Sequence, residues 1–404
     1  MRDEDEARVS RGWATIDGVW ARHSQKIAAA LLVLVAVLAV GPRLAGPIRW
    51  TPDGLFYQAH VLEIQGRGES AALHREFTTD AARRIERPDG RVGNPKWVSY
   101  SAQFYRRRWL VPLMAAAIYP AAGDRSLLYV SIAGYVAAGL LLFALLRTRF
   151  SDLVSLLVAL ACLLLPPMRT FAGAPLTDTW GLALEIGALL AALLALERGH
   201  RWIAVWTLTM LALSFTRDST VIPLVAVGWI VLVTRTRRSA AVLVTGVAAS
   251  VPALTLFGAP LVRQLAYVIQ GFHIPTVVSW SYVISHYPAG LWSVVRQDAY
   301  YPQTLSYTPV WYLIGAALLV AVAYMFIAGP RRDPFFMLAR AGLVGAAMLI
   351  AISINYTGMR LELVFIPGVA AGVAFALARL LALAPGWPGR AVTANPAALG
   401  ADRP

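Results

Sequence analysis

Repeated apolar runs of roughly 15 to 23 residues are the feature that most constrains the fold of this chain. A helix rises about 1.5 Å per residue, and the hydrocarbon core of a bilayer is about 30 Å thick. Runs of this length are therefore close to what a membrane-spanning helix needs. The composition agrees, because 58% of the 404 residues are hydrophobic and only 14% are charged. Soluble domains carry about 25% charged residues. The sequence therefore predicts an all-α, polytopic membrane helical bundle.

The net charge of +14 does not indicate a nucleic-acid partner. Much of the excess is arginine in short segments between apolar runs, where positive charge specifies orientation in a membrane. The single cysteine, Cys162, excludes an intramolecular disulfide. The sequence contains no P-loop, no serine-hydrolase elbow and no zinc-protease motif, so ATP-driven transport and the common hydrolase chemistries have no support.

Basic residues before the first apolar run predict a cytoplasmic N-terminus and a first span at about residues 26–46. Trp109–Pro120 covers only about 18 Å as a helix, so we expect a dipping element that stays on the outer side. This count puts every tight basic loop in the cytoplasm and gives about ten spans. The nine later spans are predicted at roughly 127–146, 152–167, 176–196, 202–215, 219–234, 239–257, 309–328, 335–354 and 361–382.

The predicted organisation is a multi-pass protein of the cell membrane with both termini in the cytoplasm. It has a leader, 1–25, and a single transmembrane domain, 26–384, with outer loops at 47–108 and 258–308. A Pro-, Ala- and Gly-rich tail, 385–404, is expected to be disordered. Within the first loop, apolar residues at helical spacing from Gly54 to Gly66 predict a short helix along the membrane.

Asp53 lies just after the first predicted span, in the segment Thr51–Tyr57. An aspartate at a helix start is often only an N-cap, whose carboxylate accepts hydrogen bonds from backbone N–H groups. A general base must lie where an acceptor and a membrane-bound donor meet, and the exit of a span is such a place. Both interpretations of Asp53 stay open at this point.

Arg106, Arg107 and Arg108 precede the predicted dipping element, among several aromatic residues. Arginine and aromatic side chains at this level often anchor a helix at the membrane interface. Guanidinium groups also bind phosphate bidentately, so the same three residues are candidates for a phosphate site.

Arg217 and Asp218 interrupt an apolar stretch that would be about 50 Å long as one helix. Two short crossings with a turn between them fit better, and they place the pair in a recess below the outer surface. Charges at such depth cost about 2.5–3.5 kcal/mol each and usually face a cavity. The alternative is a mutual ion pair that only holds the turn.

Three other residues are candidates on the same side. Asp178 begins a span, with Thr177 as the competing N-cap and Arg169 as its expected partner. Arg360 begins the last span, where it either reaches an anionic headgroup or snorkels. The loop 258–308 is rich in aromatic residues, which favours an interfacial belt over sugar or lipid-tail binding.

Four short motifs together resemble the GT-C superfamily of integral-membrane glycosyltransferases, which use polyprenyl-phosphate sugars. Thr51–Tyr57 is similar to the first outer loop, which holds the catalytic acid in that family. The other three motifs are Arg107–Pro112 before the next membrane element, Pro175–Asp178 at an outer turn, and Arg360–Pro367 late in the chain. The loop 258–308 has no large soluble domain, which implies a compact member.

The resemblance implies a GT-C-like fold and an inverting hexosyl- or pentosyltransferase in which Asp53 deprotonates the acceptor. It also implies a polyprenyl-phosphate sugar as donor, a glycan, lipid or protein hydroxyl as acceptor, and the lipid bilayer as surroundings. A divalent metal is compatible with this chemistry but is not required, because arginines can neutralise the leaving phosphate. The residues expected to bind substrate are Arg106, Arg107, Arg108, Arg169, Asp178, Arg217, Asp218 and Arg360.

Two alternatives come from other functional classes. A transporter or flippase for a lipid-linked glycan would place polar groups at the bilayer midplane and in symmetric halves. A non-catalytic membrane scaffold would tolerate the loss of the recessed charges. The sequence gathers its polar groups on one side and shows no repeat, which favours the transferase.

Overall fold

The computed structural model describes residues 2–85, 90–256, 258–304, 308–353 and 363–383. It is all-helical, with 82% helix and no strand in the described part. The α-helices, in chain order, are α1 (Arg2–Ala45), α2 (Pro52–Ile64), α3 (Glu69–Phe77), α4 (Asp80–Ile85), α5 (Pro95–Ala102), α6 (Leu110–Ala122), α7 (Ser126–Leu146), α8 (Asp152–Leu164), α9 (Pro166–Ala172), α10 (Asp178–Arg198), α11 (Arg201–Ser214), α12 (Val221–Thr234), α13 (Arg237–Leu256), α14 (Leu261–Ile269), α15 (Trp280–Thr304), α16 (Thr308–Ala328), α17 (Pro334–Ser353) and α18 (Ile366–Leu383).

Several of these helices are long and apolar enough to cross a membrane, which indicates a membrane protein. Five stretches of the described chain qualify, and α8 with α9 makes a sixth if this pair, bent by 64°, is one broken span. Three shorter apolar helices lie at Arg201–Ser214, Asp218–Thr234 and Tyr312–Ala328. Ten spans are not confirmed, and the orientation of the termini stays a prediction.

The predicted dipping element corresponds to α6, which forms one apolar stretch with α7. The two helices are separated at Gly123, whose φ of +55° is in the left-handed region that favours glycine. The stretch of 37 residues would be about 55 Å long as one straight helix, so the break allows α6 and α7 to pack against each other. Whether α6 enters the membrane without crossing it stays a prediction.

Each predicted apolar run from the first to the last contains a helix, and most helix ends fall within a few residues of the predicted limits. The leader is continuous with the first span, because α1 runs for 44 residues. The predicted tail, 385–404, lies outside the described residues.

The bundle core is built around α10, which packs against α7 and α11, while α12 packs against α17. The close approach of α7 to α10, and of α13 to α11, depends on a glycine in each pair. A Cβ on Gly134 would lie 2.6 Å from the Trp180 ring, and a Cβ on Gly246 would lie 2.5 Å from the Trp206 ring. Both tryptophans donate their indole N–H to a backbone carbonyl of the facing helix. The rings can therefore pack in the core without leaving the indole nitrogen unpaired.

Basic loops meet at one end of the bundle. Arg149 forms ion pairs with Glu197, in the last turn of α10, and with Asp333, just before α17. Ser24 donates a hydrogen bond of 2.5 Å to Asp152, so the start of the first apolar run lies at this same end. This grouping matches the prediction that the basic loops share one side. The helices α2 to α5 lie at the other end of the bundle.

The helix predicted from Gly54 to Gly66 is present as α2, but it has no exposed side along most of its length, and its placement along the membrane stays a prediction. Nine consecutive residues, from Gly54 to Leu62, are buried. The sequence pattern shows one apolar stripe, yet Phe56, Tyr57 and Val61 fill the other sides by packing on α3, α5 and α6. The helix is therefore the core of a small helical unit, formed by α2 to α5, at one end of the bundle.

This unit contains a buried carboxyl group, Glu76, whose residue is only 4% exposed. Burial raises the pKa of Glu76 to about 7, and Asp124 acts in the same direction, while Arg75 and Arg67 oppose the shift. Asp124 also accepts hydrogen bonds from Gln58 and Tyr119. The charged form of Glu76 is therefore the unfavourable one in the folded protein.

We expect the stability gained from protonated Glu76 to be present below pH 4.5 and lost as the pH rises through about 7. The change corresponds to about 3 kcal/mol. Glu76→Gln should thus gain stability relative to the wild type as the pH is raised from 5 to 8, measured by thermal unfolding in detergent. Glu69→Gln, on the exposed side of the same helix, is the control. A difference between Glu76→Gln and wild type that does not change with pH would contradict this assignment.

Candidate functional site

Polar side chains from four separate segments meet at the α2–α5 end of the bundle. The segments are the start of α2, the turn between α5 and α6, the start of α10, and the short turn between α11 and α12. A backbone hydrogen bond of 3.2 Å from Leu110 N to the Phe215 carbonyl joins two of these segments directly. Gly54 lies against Pro175, which brings the start of α2 to the start of α10.

Asp53 is in the first turn of α2, and it is not the N-cap. Thr51 caps the helix, since its hydroxyl accepts a hydrogen bond from Gly54 N at 3.1 Å. Asp53 Oδ1 instead accepts a hydrogen bond of 2.6 Å from the Tyr105 hydroxyl. Burial and the adjacent Asp53 raise the pKa of Tyr105 well above its usual value, so Tyr105 is a permanent donor that fixes the carboxylate.

Arg108 lies at the centre of the polar cluster. Its guanidinium donates to the Tyr57 hydroxyl at 2.7 Å and to Asp218 Oδ2 at 3.2 Å, and it lies 5.4 Å from the centre of the Tyr105 ring. Tyr57 also accepts a hydrogen bond from the Thr177 hydroxyl at 3.2 Å. Asp53, Tyr105, Arg108 and Asp218 are therefore linked through consecutive contacts.

The two remaining arginines of the cluster have different carboxylate partners. Arg107 forms an ion pair with Asp218, which therefore has two guanidinium partners. Arg217 pairs with Asp178 at 3.0 Å, and the Asp178 side chain is 2% exposed. Arg217 and Asp218 are thus not a mutual pair that holds the turn.

Three guanidinium groups are crowded together in this cluster. Burial, with Arg108 and Arg217 acting in the same direction, lowers the pKa of Arg107 to about 9. Arg107 is still charged at neutral pH, but its charge is less favourable than that of an arginine in water. Asp178 and Asp218 already pair with these arginines, and a phosphate that contacts Arg107 and Arg108 would add bidentate hydrogen bonds to guanidiniums that share one carboxylate.

Two of the predicted site residues are not in this cluster, and the position of a third is not described. Arg106 points away and forms an exposed ion pair with Glu69 at 2.8 Å. Arg169 is exposed and does not pair with Asp178; it lies instead near Arg43, at the end of α1. Arg360 lies outside the described residues.

The cluster contains residues that sequence reasoning did not single out. Tyr57, Tyr105 and Thr177 carry the hydrogen bonds that link the charged groups. Tyrosines beside a membrane segment are usually interfacial anchors, and their sequence context does not distinguish that role from this one. His60 was also missed: it is buried and stacked on Trp109 with parallel rings 5.0 Å apart.

His60 adds a neutral group to this region. Burial lowers its pKa to about 4, although Glu69 opposes the shift. Its Nδ1 is buried and has no hydrogen-bond partner among the described residues. His60 lies seven residues after Asp53, two turns along α2, so the two side chains share one face of the helix.

Glu185, in the second turn of α10 after Asp178, is a further buried carboxyl group. It is 1% exposed and borders a small cavity whose other lining residues are apolar. Its two oxygens have no hydrogen bond of ordinary geometry to the described residues, although the Ser219 hydroxyl is close enough to interact. The described chain contains no group of three or more His, Cys, Asp or Glu side chains placed to hold a metal ion.

We expect Gly181→Ala to disturb the site, because a Cβ at this position would lie 2.5 Å from Arg217 Cγ. Arg217 would have to move away from Asp178, and overpacking of this kind costs about 1–3 kcal/mol. Gly187→Ala on the same helix is the matched control, since its nearest contacts would be an ordinary 3.6 Å. Thermal unfolding of both variants measures the effect, and equal melting temperatures would contradict the prediction.

Comparison with known proteins adds no family to these observations, because no protein-family model and no curated protein matches the chain.

Proposed function

We propose that the chain is a GT-C-like membrane glycosyltransferase, which transfers a sugar from a polyprenyl-phosphate donor to a hydroxyl acceptor on the outer face. The observation that carries the proposal is the meeting of Asp53 with Arg107, Arg108 and Arg217 at one end of an apolar bundle. A carboxylate and clustered guanidiniums are the groups that a base-assisted transfer from phosphate needs.

Asp53 is suited to act as the general base. It is only partly buried, so an acceptor can approach it, and Tyr105 holds its carboxylate by a hydrogen bond of 2.6 Å. In the proposed step, Asp53 takes the proton of the acceptor hydroxyl as the acceptor oxygen attacks the anomeric carbon. The bond from that carbon to the phosphate oxygen breaks on the opposite side, and the configuration is inverted.

The arginines are suited to stabilise the leaving group, since the electron pair of the broken bond goes to the polyprenyl phosphate. Arg107 and Arg108 share a single carboxylate, Asp218, so these three groups carry one excess positive charge. The phosphate gains negative charge in the transition state. It would then interact with this excess positive charge more strongly than it does in the bound substrate. Such differential stabilisation is what lowers a reaction barrier.

A second candidate, movement of a lipid-linked glycan across the membrane, is favoured by one observation. Glu185 is a carboxyl group buried inside a candidate span, and ionisable groups at such positions often mark transport pathways. Because Glu185 is separate from Asp53, the two candidates differ in their tests. Glu185→Gln is expected to leave sugar transfer unchanged if the protein is a transferase.

We expect Asp53→Asn to lower the rate of sugar transfer by about 100-fold to 10,000-fold, since it removes the general base. Tyr105→Phe should lower the rate by about tenfold, because it removes one hydrogen bond to a charged group. Transfer of radiolabel from a panel of polyprenyl-phosphate hexoses and pentoses to membrane acceptors gives the measurement. Asp80→Asn, at an exposed carboxylate of α4, is the control. Full activity of Asp53→Asn with any donor of the panel would exclude Asp53 as the base.

The phosphate site is tested by binding of polyprenyl phosphate, with the uncharged polyprenol as the comparison ligand. Arg107→Gln should weaken binding of the phosphate at least about tenfold, because it removes a charge-assisted contact. Arg106→Gln is the matched control, since this neighbouring arginine is exposed and pairs with Glu69 outside the cluster. Equal binding of phosphate and alcohol, or equal loss in the two variants, would contradict the assignment.

A further inference from the structure

The hairpin formed by α14 and α15 has an unusual composition. The 32 residues between Arg263 and Arg296 include no Asp, Glu, Lys or Arg. Neither helix is among the candidate spans, and α14 has only nine residues, about 13 Å. An uncharged segment of this length outside the spans calls for a physical explanation, because loops exposed to water are normally polar.

One side of the hairpin packs against the rest of the protein. Val283 and Val294 of α15 are buried against α14 and Ile350. Tyr287 donates a hydrogen bond to the Ala351 carbonyl, which places the second turn of α15 beside the last turn of α17. Tyr267 of α14 packs against α2 and α5 and bonds to Ser101 at 3.0 Å.

A second side of the hairpin is apolar and uncovered. Four large hydrophobic side chains on α15 lie within about 120° of one another around the helix, and three more precede it in the connecting segment. Their exposure is as high as 68% at Ile284 and 67% at Trp292. The exposed residues are Ile274, Val277, Val278, Trp280, Ile284, Trp292 and Val295.

The third side of α15 is polar. His286 and Ser293 are exposed, and each is about 100° or more around the helix from every residue of the apolar stripe on α15. A helix that is buried on one side, apolar on the second and polar on the third fits a boundary between hydrocarbon and water. Trp280 and Trp292 are on the apolar side. Tryptophan is enriched at membrane interfaces.

We propose that α15 and the segment before it lie in the interfacial layer of the bilayer, in the leaflet at the α2–α5 end, with the exposed apolar stripe among the acyl chains. Continuity with α17 supports lipid as the occupant. Ala351 contacts α15, and the exposed side chains of Val344, Met348 and Ile352 continue the apolar surface along α17. A surface that meets lipid along α17 therefore extends directly onto the hairpin.

The placement can be tested with nitroxide labels at nearby positions on the two exposed sides of α15. The native cysteine is first removed by Cys162→Ala, and the full chain is reconstituted in liposomes of phosphatidylcholine and phosphatidylglycerol. Ile284→Cys and Trp292→Cys report on the apolar stripe. His286→Cys and Ser293→Cys are their matched neighbours on the polar side. All four side chains are exposed, so labelling does not disrupt the core.

We expect collisions with oxygen, which concentrates in lipid, to exceed collisions with a water-soluble nickel chelate several-fold at positions 284 and 292. The ratio should reverse at 286 and 293. Access of the nickel chelate to all four labels would overturn the proposal, because the stripe would then face water. Exclusion of both reagents from 284 and 292 would also overturn it, in favour of a covering protein surface. Oxygen-dominated collisions at all four positions would overturn the interfacial placement, because the hairpin would be fully immersed.

Discussion

The interaction of Arg107 and Arg108 with Asp218 joins the unit formed by α2 to α5 to the helical bundle. The two arginines precede α6, and Asp218 lies in the turn between two short bundle helices. All three side chains are largely shielded from water, so none of them can lose its partner without a large desolvation cost. The position of Asp53 depends on this contact, because Tyr105 is in the same turn as the arginines and holds the carboxylate.

The break between α11 and α12 makes it possible for these charged residues to meet. Each of the two helices has 14 residues, about 21 Å, so neither spans the hydrocarbon core alone. The sequence predicts that their junction is recessed from the membrane surface, and the structure brings Arg217 of this junction to Asp178. Gly181 allows the aliphatic part of Arg217 to cross α10 and reach that carboxylate. A charged cluster can thus exist below the surface without exposing its ion pairs to lipid.

The sequence predicted the helices well because the length of an apolar run is a local property. It also predicted that Asp53, Arg107, Arg108, Asp178, Arg217 and Asp218 would lie on one side, since the basic loops constrain the topology. The choice of partners depends on side-chain positions in three dimensions. Proximity in the sequence predicts Arg169, nine residues from Asp178, as its partner, yet the ion pair forms with Arg217, 39 residues away.

Two other differences have the same origin. Asp53 seemed a good helix cap, but Thr51 has the geometry to accept the bond from Gly54 and leaves the carboxylate to Tyr105. The spacing of Leu55, Ala59 and Leu62 suggested a surface helix, whereas the packing of α3, α5 and α6 buries the remaining sides of α2. Neither outcome is visible in a helical pattern alone, because each depends on which elements surround the helix.

The ion pairs of Arg149 have a mechanical consequence for the whole bundle. One guanidinium holds the end of α10 and the start of α17 beside the loop that follows α7, so these three helices are fastened together at the end remote from Asp53. Relative motion of helices clamped at one end is a small rotation about that end, with the largest displacement at the other. A bulky molecule that enters beside Asp53 is thus expected to move the helices apart at that end, while their spacing at the Arg149 end stays the same.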